Sequence, residues 1–514
     1  MSIRIARIVN TLERRRFATS LLPLSFALAA CSTPASPDVT DAHDASDLGA
    51  DVSNAMDVVI DTAPAPDVSP DYLRPPDVAR TDPDSVVAMR RQSCTYAAGA
   101  WPAETLGTDV PIGTDIPIDH VLVLMMENRS FDHYFAHLPE AGQTDVEVPP
   151  AGWMNRHADG TPVTPTRDTT FCYPDLNHEW NGTHAEWNNG AMDGFVQAND
   201  PMGERTMAYE TQAELPFYYG LATTFAIADH YHAPLLGPTF PNRLYMLAAT
   251  SFGLTYNVPV AQDTAAHPVN QIFLRLDQAG IDWRDYAAGL RSADVFVYYA
   301  ILRRQTAAHL AGIDRLMTDL ASGDIPPFAF IEPNFGGTGA TRADEHPPGT
   351  PQAGEAWAEA IIRAVMASPA WSRTALCITY DEHGGFADHV APPPACPPDD
   401  MEPIAPDGDG GTVPAAGHFD RYGVRVPFIV VSPYARPHFV SHNTYDHTSI
   451  LRFVEARFGL PAMTRRDANA NPVTDLFDFT HAAFMTPPTL PHAPGLSTAD
   501  SARCMTAFPT NSGL

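Results

Sequence analysis

His120-Val121-Leu122-Val123-Leu124-Met125-Met126, followed at once by Glu127-Asn128-Arg129-Ser130-Phe131-Asp132-His133-Tyr134, is the stretch that decides how this chain folds. Apolar residues that do not alternate with polar ones read as a strand buried on both faces, as in a parallel or mixed sheet. The same pattern returns at Pro327-Phe328-Ala329-Phe330-Ile331, Ala375-Leu376-Cys377-Ile378-Thr379-Tyr380 and Val426-Pro427-Phe428-Ile429-Val430-Val431. Between these runs the period changes to helical. Trp357, Ile361 and Val365 share one face, and Ile450, Val454 and Phe458 share another, with Gly459 as a stop. Strands alternating with helices predict an α/β fold, a three-layer sandwich around a mostly parallel central sheet.

Outward from this core, composition excludes several classes. The chain has 514 residues, is 44% hydrophobic and carries a formal charge of −30. That charge opposes any nucleic-acid partner bound through its phosphates. Every one of the 31 basic residues is arginine, so lysine-dependent P-loop and Schiff-base chemistry is excluded. Fifty prolines, about twice the usual share, predict long stiff loops.

The first 31 residues read as an export signal. Arg14-Arg15-Arg16-Phe17 precedes an apolar stretch that ends in Leu28-Ala29-Ala30-Cys31. The stretch is too short to span a bilayer of about 30 Å. Leu-Ala-Ala-Cys resembles a bacterial lipobox with Cys31 as the lipidated residue, and the arginines resemble a twin-arginine signal. Residues 32–90 read as an acidic Asp/Ala/Pro linker. Twelve aspartates between 32 and 84 face only Arg74 and Arg80, and their spacing lacks the glycine-turned pattern of a calcium loop. The folded domain is expected over 91–514, in the cell envelope: lipid-anchored, with the outer membrane favoured, or periplasmic or secreted. No later segment is apolar for the roughly 18 residues that a membrane-spanning helix needs. With Cys31 lipidated, five cysteines remain. Cys377, inside a strand, reads as a free buried thiol, and Cys94–Cys504 and Cys172–Cys396 are the pairings ventured.

Polar clusters follow the buried strands, where open α/β sheets place their sites. Glu127-Asn128 follows the first, and Asp381-Glu382-His383-Gly384-Gly385-Phe386-Ala387-Asp388-His389 follows the strand ending at Tyr380. Adjacent acids at a strand end repel unless a cation offsets them, and oxygen donors suit a hard divalent ion. Gly237-Pro238-Thr239-Phe240-Pro241-Asn242-Arg243 forms a turn into a helix. The plainer reading of Thr239 is a helix cap; the functional one is a hydroxyl nucleophile activated by the cation, with the helix start holding a phosphoryl group. Three histidines stand beside acids in loops: His178, His346 and His447. An imidazole can hold phosphate oxygens or protonate a departing alkoxide.

Together, Glu127–Phe135, Gly237–Arg243, Thr379–Val390 and Tyr445–Ser449 resemble the signature blocks of one phosphoesterase family, which contains bacterial phospholipases C, related acid phosphatases and plant non-specific phospholipases C. The resemblance runs from about 118 to 460 and implies an alkaline-phosphatase-like core. It implies Thr239 as nucleophile, with Glu127, Asn128, Asp381, Glu382 and the Thr239 oxygen holding one divalent metal ion, calcium or magnesium favoured. His178, His346 and His447 would then contact phosphate or act as acid and base. Asn242 is a lesser candidate, since bracing the turn is a simpler task for its amide. Met192-Asp193-Gly194-Phe195 also resembles the family and is given a structural role.

The expected activity is a phospholipase C-like, metal-dependent hydrolysis through a phosphothreonine. The alternatives are an acid phosphatase acting on monoesters and a non-catalytic lipoprotein that binds a phosphorylated ligand. The expected partners are a phospholipid or a small phosphate ester, with the N-terminal lipid in the membrane. Thr at the nucleophile position leans towards the phospholipases. Few residues follow Gly459, where several of them carry β-rich domains, and this weighs against that reading without overturning it.

Overall fold

The expected strands all form, and they lie side by side. The computed structural model describes residues 78–507 except 170–171, 259–270, 290–291, 293–308, 334–341 and 410. All described residues belong to one compact unit. The expected signal segment with Cys31, and the linker as far as residue 77, lie outside them. Eight strands make the main sheet: β1 (His120–Met126), β2 (Ala226–Ala228), β3 (Trp283–Ala287), β4 (Leu310–Gly312), β5 (Phe328–Glu332), β6 (Thr374–Tyr380), β7 (Phe428–Val431) and β8 (Phe439–Ser441). Their order is β8-β2-β7-β6-β1-β5-β3-β4. β1 pairs in parallel with β6 on one side and β5 on the other, with Val121 opposite both Ala375 and Phe328. Among the described strands of this sheet only β7 runs against its neighbours. The sheet is therefore mostly parallel, as the unbroken apolar runs require, and helices flank it.

Those helices form where the 3.6-residue period is clear. The helix Pro351–Ala367 buries Ile361 and Val365, and the Thr350 hydroxyl accepts from the Ala353 N–H at its start. The helix His447–Phe458 buries Ile450 and Val454, is capped by Asp446, and ends at Gly459 with φ 65°. A positive φ there is the left-handed geometry that glycine adopts without a Cβ clash. Thr239–Ala248 packs against this helix, and Ile313–Ser322 packs against Pro351–Ala367.

Two features differ from the sequence reading, the N-terminal edge of the fold and the cysteine pairing. The helix Asp84–Gln92 straddles the expected start of the domain at residue 91. Its Arg91 is buried, donating to Asp84 and to the Thr105 carbonyl, so the chain is already tied to the domain within the acidic stretch. The disulfides are Cys94–Cys396 and Cys172–Cys504, not the pairings expected. Cys94 follows the helix that packs near the proline-rich 392–398 loop, and Cys504 lies on the C-terminal helix Thr498–Ala507. Tertiary path decides between pairings that spacing leaves equivalent. Cys377 is free and buried in β6, as expected. Among the described residues no helix is long and apolar enough to cross a membrane.

Candidate active site at the strand ends

The carboxyl ends of β1 and β6 are adjacent, so the two polar loops that follow them are laced together. Asp381 N–H donates to the Met126 carbonyl (3.1 Å) and Arg129 N–H to the Glu382 carbonyl (3.0 Å). Asn128, at φ 61°, turns its own N–H towards Asp381 Oδ1 (3.2 Å). Gly384, at φ +64°, lies so close to this turn that a Cβ would stand 2.4 Å from the Asn128 carbonyl oxygen. The signature after each strand is thus read by the other.

The turn before Thr239 is held by Asn242, whose amide donates to the Gly237 and Pro238 carbonyls while its oxygen accepts from Leu235 N–H. Bracing is therefore what its side chain does. Pro238 is the cap position and Thr239 the first helical residue, so its hydroxyl is not the cap. One turn along the same face is Arg243, fully buried. Its Nη2 donates to Glu127 Oε1 (3.1 Å), its Nε to Asp381 Oδ2 (3.1 Å) and its Nη1 to Glu332 Oε1 (2.8 Å). The helix bearing Thr239 is in this way fastened to the ends of β1, β5 and β6. Glu127 and Asp381 meet on this guanidinium, and Thr239 stands one helical turn before it.

Acid outnumbers base in this cluster. Glu127 Oε2 also faces Arg342 (3.6 Å), which is itself bonded to Asp344. Burial pushes Glu127 well above the usual carboxylate range despite Arg243, and raises Asp381 to about 7, with Glu382 adding to the rise. Glu382 is held below its ordinary value: burial opposes this, but His178 and His383 outweigh it. Two oxygens here, Asn128 Oδ1 and Glu382 Oε1, are buried without a hydrogen-bond partner among the described residues. Orphaned oxygens beside surplus buried carboxylate are what a divalent cation relieves. The chemistry of the donors suits such an ion: Asn128 Oδ1 and Glu382 Oε1 are open to it, while Glu127 and Asp381 already share Arg243.

His178 Nδ1 donates to the Leu176 carbonyl (2.8 Å), which aims Nε2 inward, 3.4 Å from the Asn128 amide and 3.9 Å from Glu382 Oε1. Burial would lower its pKa, but Glu382 and Asp175 raise it to about 10, so the ring is charged at neutral pH. His346 stacks edge-on to His178, ring centres 5.5 Å apart, and burial lowers its pKa. Exposed Asp175 stands beside both at the mouth, and ligand atoms of Asp175, His178 and His346 lie within 4.8 Å of one another, a second group able to hold a cation. A third, Asp132, Asp388 and His389, already has Arg425 bonded to both acids.

His447 sits elsewhere. It lies behind the Asp381 turn, with Nε2 on the Asp381 carbonyl (2.9 Å) and Nδ1 on the Tyr231 hydroxyl (3.0 Å). Burial lowers its pKa to about 3, and both ring nitrogens are engaged. The geometry makes it a prop for the turn.

Several residues around the site were not singled out by sequence. Arg243 was visible only as an arginine at the head of an apolar helix. Glu332 carried the same signal as Glu127, an acid directly after an apolar run. Glu345, beside His346, has its carboxylate held by the hydroxyls of Tyr134, Tyr218 and Tyr380. His383 reaches Glu186 Oε2 (2.8 Å) and stands 3.3 Å from Glu382 Oε2.

Comparison with known proteins gives the family. Residues 118–461 match the family described as Phosphoesterase family. Phospholipase C B of Mycobacterium tuberculosis is 34% identical over 448 residues, covering 77% of this chain and 82% of that protein. Non-specific phospholipase C6 of Arabidopsis thaliana is 32% identical over 384 residues, covering 70% and 72%. Among solved structures, a protein in the alkaline phosphatase superfamily from Vibrio parahaemolyticus aligns with a TM-score of 0.32 and 9% identity, over 66% of this chain and 77% of that one.

Proposed function

Because the chain belongs to the phosphoesterase family and is a phosphoric ester hydrolase, we propose that it acts as a metal-dependent phospholipase C, cleaving phospholipid to diacylglycerol and a phosphorylated head group through Thr239. The observation that carries this reading is the Arg243 fork, which brings the Thr239 helix onto Glu127 and Asp381. Relatives named phospholipase C that align over most of the chain support the substrate class.

The reaction divides among the chain's own groups. The Thr239 oxygen attacks phosphorus in line, and the bond from phosphorus to the diacylglycerol oxygen breaks. His346, kept neutral by burial, accepts the threonine proton. His178, whose Nε2 is turned into the site beside Asn128 and Glu382, faces the phosphoryl oxygens and supplies the proton that the departing alkoxide needs. The head group is left esterified to Thr239 as a phosphothreonine diester, which water then cleaves: His178, neutral after the first step, takes the water's proton, and His346 returns the threonine's proton to its oxygen. A divalent cation bound by Asn128, Glu382, Asp381 and Glu127, calcium or magnesium by the hardness of these oxygens, supplies neutralisation of charge on the phosphoryl group. Asn242 and His447 position, one holding the nucleophile turn and the other the Asp381 turn.

In this reading residues 1–31 direct export, Cys31 carries the lipid, and the acidic stretch after it tethers the enzyme at the cell envelope. Parallel assays decide the substrate. Phosphatidylcholine vesicles and a soluble phosphomonoester are compared with and without EDTA. Chelator-sensitive release of a phosphorylated head group, exceeding monoester cleavage, is expected. Monoester cleavage alone would make the protein an acid phosphatase, and no hydrolysis of either would leave a phosphate-ligand-binding lipoprotein.

A further inference from the structure

Glu382 is anchored asymmetrically. Its Oε2 accepts the Gly384 N–H (2.6 Å) and lies 3.3 Å from His383 Nδ1, while its Oε1 has no hydrogen-bond partner and looks towards His178. Behind it the ring of His383 continues to Glu186 Oε2 at 2.8 Å. Glu186 comes from the last turn of the helix Trp180–Trp187, far from β6 in sequence. Its other oxygen accepts from Asn199 Nδ2 (3.0 Å), and Asn199 Oδ1 in turn accepts the N–H of Asn177, the residue before His178. Glu382, His383 and Glu186 are all fully buried.

Burying two carboxylates and an imidazole is costly, and an apolar trio would pack the same space without that cost. What the apolar trio could not do is fix one oxygen of Glu382 and leave the other bare. Groups that hydrogen-bond a metal's carboxylate ligands set their orientation and tune affinity. We propose that Glu186 is a positioning residue for the divalent cation: acting through His383, it locks Oε2 of Glu382 and so presents Oε1 to the ion, while acting through Asn199 it holds the loop that carries His178. This rests on the metal-dependent reading of the site.

The test is metal affinity rather than turnover. Calcium and magnesium are titrated calorimetrically into the chelator-stripped full-length protein, as wild type, Glu186→Gln and Glu186→Ala, and each protein's melting temperature is recorded with and without the ion. Glu186→Gln, which keeps the volume and an acceptor oxygen, is expected to weaken the wild type's preferred ion by about tenfold, and Glu186→Ala by up to about a hundredfold. The metal-induced rise in melting temperature should shrink in the same order. Glu186→Gln decides the matter if the alanine variant does not fold. Affinity within twofold of wild type overturns the proposal, including where the stripped protein melts lower, since that is the mark of a purely structural role. Wild-type protein that binds neither ion overturns the metal reading itself, and this inference with it.

Discussion

Arg243 Nε lies 3.1 Å from Asp381 Oδ2, an ion pair wholly inside the protein that joins the helix of Thr239 to the end of β6. Glu127 and Glu332 share the same guanidinium. Although burial opposes its charge, the three acids hold it above its ordinary value. Removing one member of a buried ionic cluster leaves the others uncompensated, at about 3–5 kcal/mol. Arg243→Leu is therefore expected to lose stability of that order in urea denaturation. Arg243→Lys, a point charge unable to fork, should fall between wild type and leucine in stability and still turn over slowly. A leucine variant as stable as wild type would show the acids to be protonated in the native state.

Thr239 offers the cleanest separation of chemistry from fold. It is the first residue of its helix, and Asn242, not Thr239, holds the turn. Thr239→Ala should leave the melting temperature within a few degrees of wild type while turnover falls by at least about a thousandfold, as expected when a nucleophile is deleted. Thr239→Ser should keep part of the activity. Mass spectrometry of acid-quenched wild type should find the adduct on the peptide containing Thr239; an adduct on any other residue would reassign the nucleophile.

What the sequence shows and what it hides follow from the reach of each interaction. β1, β5, β6 and β7 are buried on both faces, so their apolar runs stand out. β3, Trp283-Arg284-Asp285-Tyr286-Ala287, mixes charge into a strand near the sheet edge and has no period to read. Acids directly after apolar strands exposed the site, because in a parallel sheet such ends converge. The pairings across it could not be read. Arg243 meets Glu332 across 89 residues and Asp381 across 138, and no spacing rule spans such distances. His447 looked like His178 in sequence, an imidazole beside an acid in a loop. Only the positions of Tyr231 and the Asp381 carbonyl separate a prop from a ring whose Nε2 is turned towards Asn128 and Glu382.

The disulfides make a covalent prediction. Cys94–Cys396 and Cys172–Cys504 close loops of 302 and 332 residues. Cys504→Ser frees the C-terminal helix from Cys172 and should cost about 2–5 kcal/mol. Peptide mapping without reduction should recover the two pairs intact, with Cys377 alkylated only after denaturation. Recovery of Cys94 joined to Cys504 would contradict the fold.

Glu355 gives the pH dependence its sign. Its Oε1 accepts the N–H groups of Phe217 (2.8 Å) and Tyr218 (3.0 Å), while Oε2 is buried without a hydrogen-bond partner among the described residues. Burial raises its pKa from the ordinary 4.5 to about 8, so near neutrality the native carboxyl holds a proton that the unfolded chain releases. The native state then binds more protons than the unfolded one between these values, and stability must fall as pH rises through that window. At about 1.4 kcal/mol per pH unit, the loss is on the order of a few kcal/mol. Glu345, pushed up by burial to about 7, acts in the same direction, so wild type alone cannot isolate Glu355. Glu355→Gln can. It keeps an oxygen for Phe217 and Tyr218 and cannot ionise, so its stability relative to wild type, measured by urea denaturation, should improve from pH 5 to about pH 8 and level off above that. A difference that stays constant across that range would mean that Glu355 is ionised in the folded protein and that its bare oxygen has found a cation.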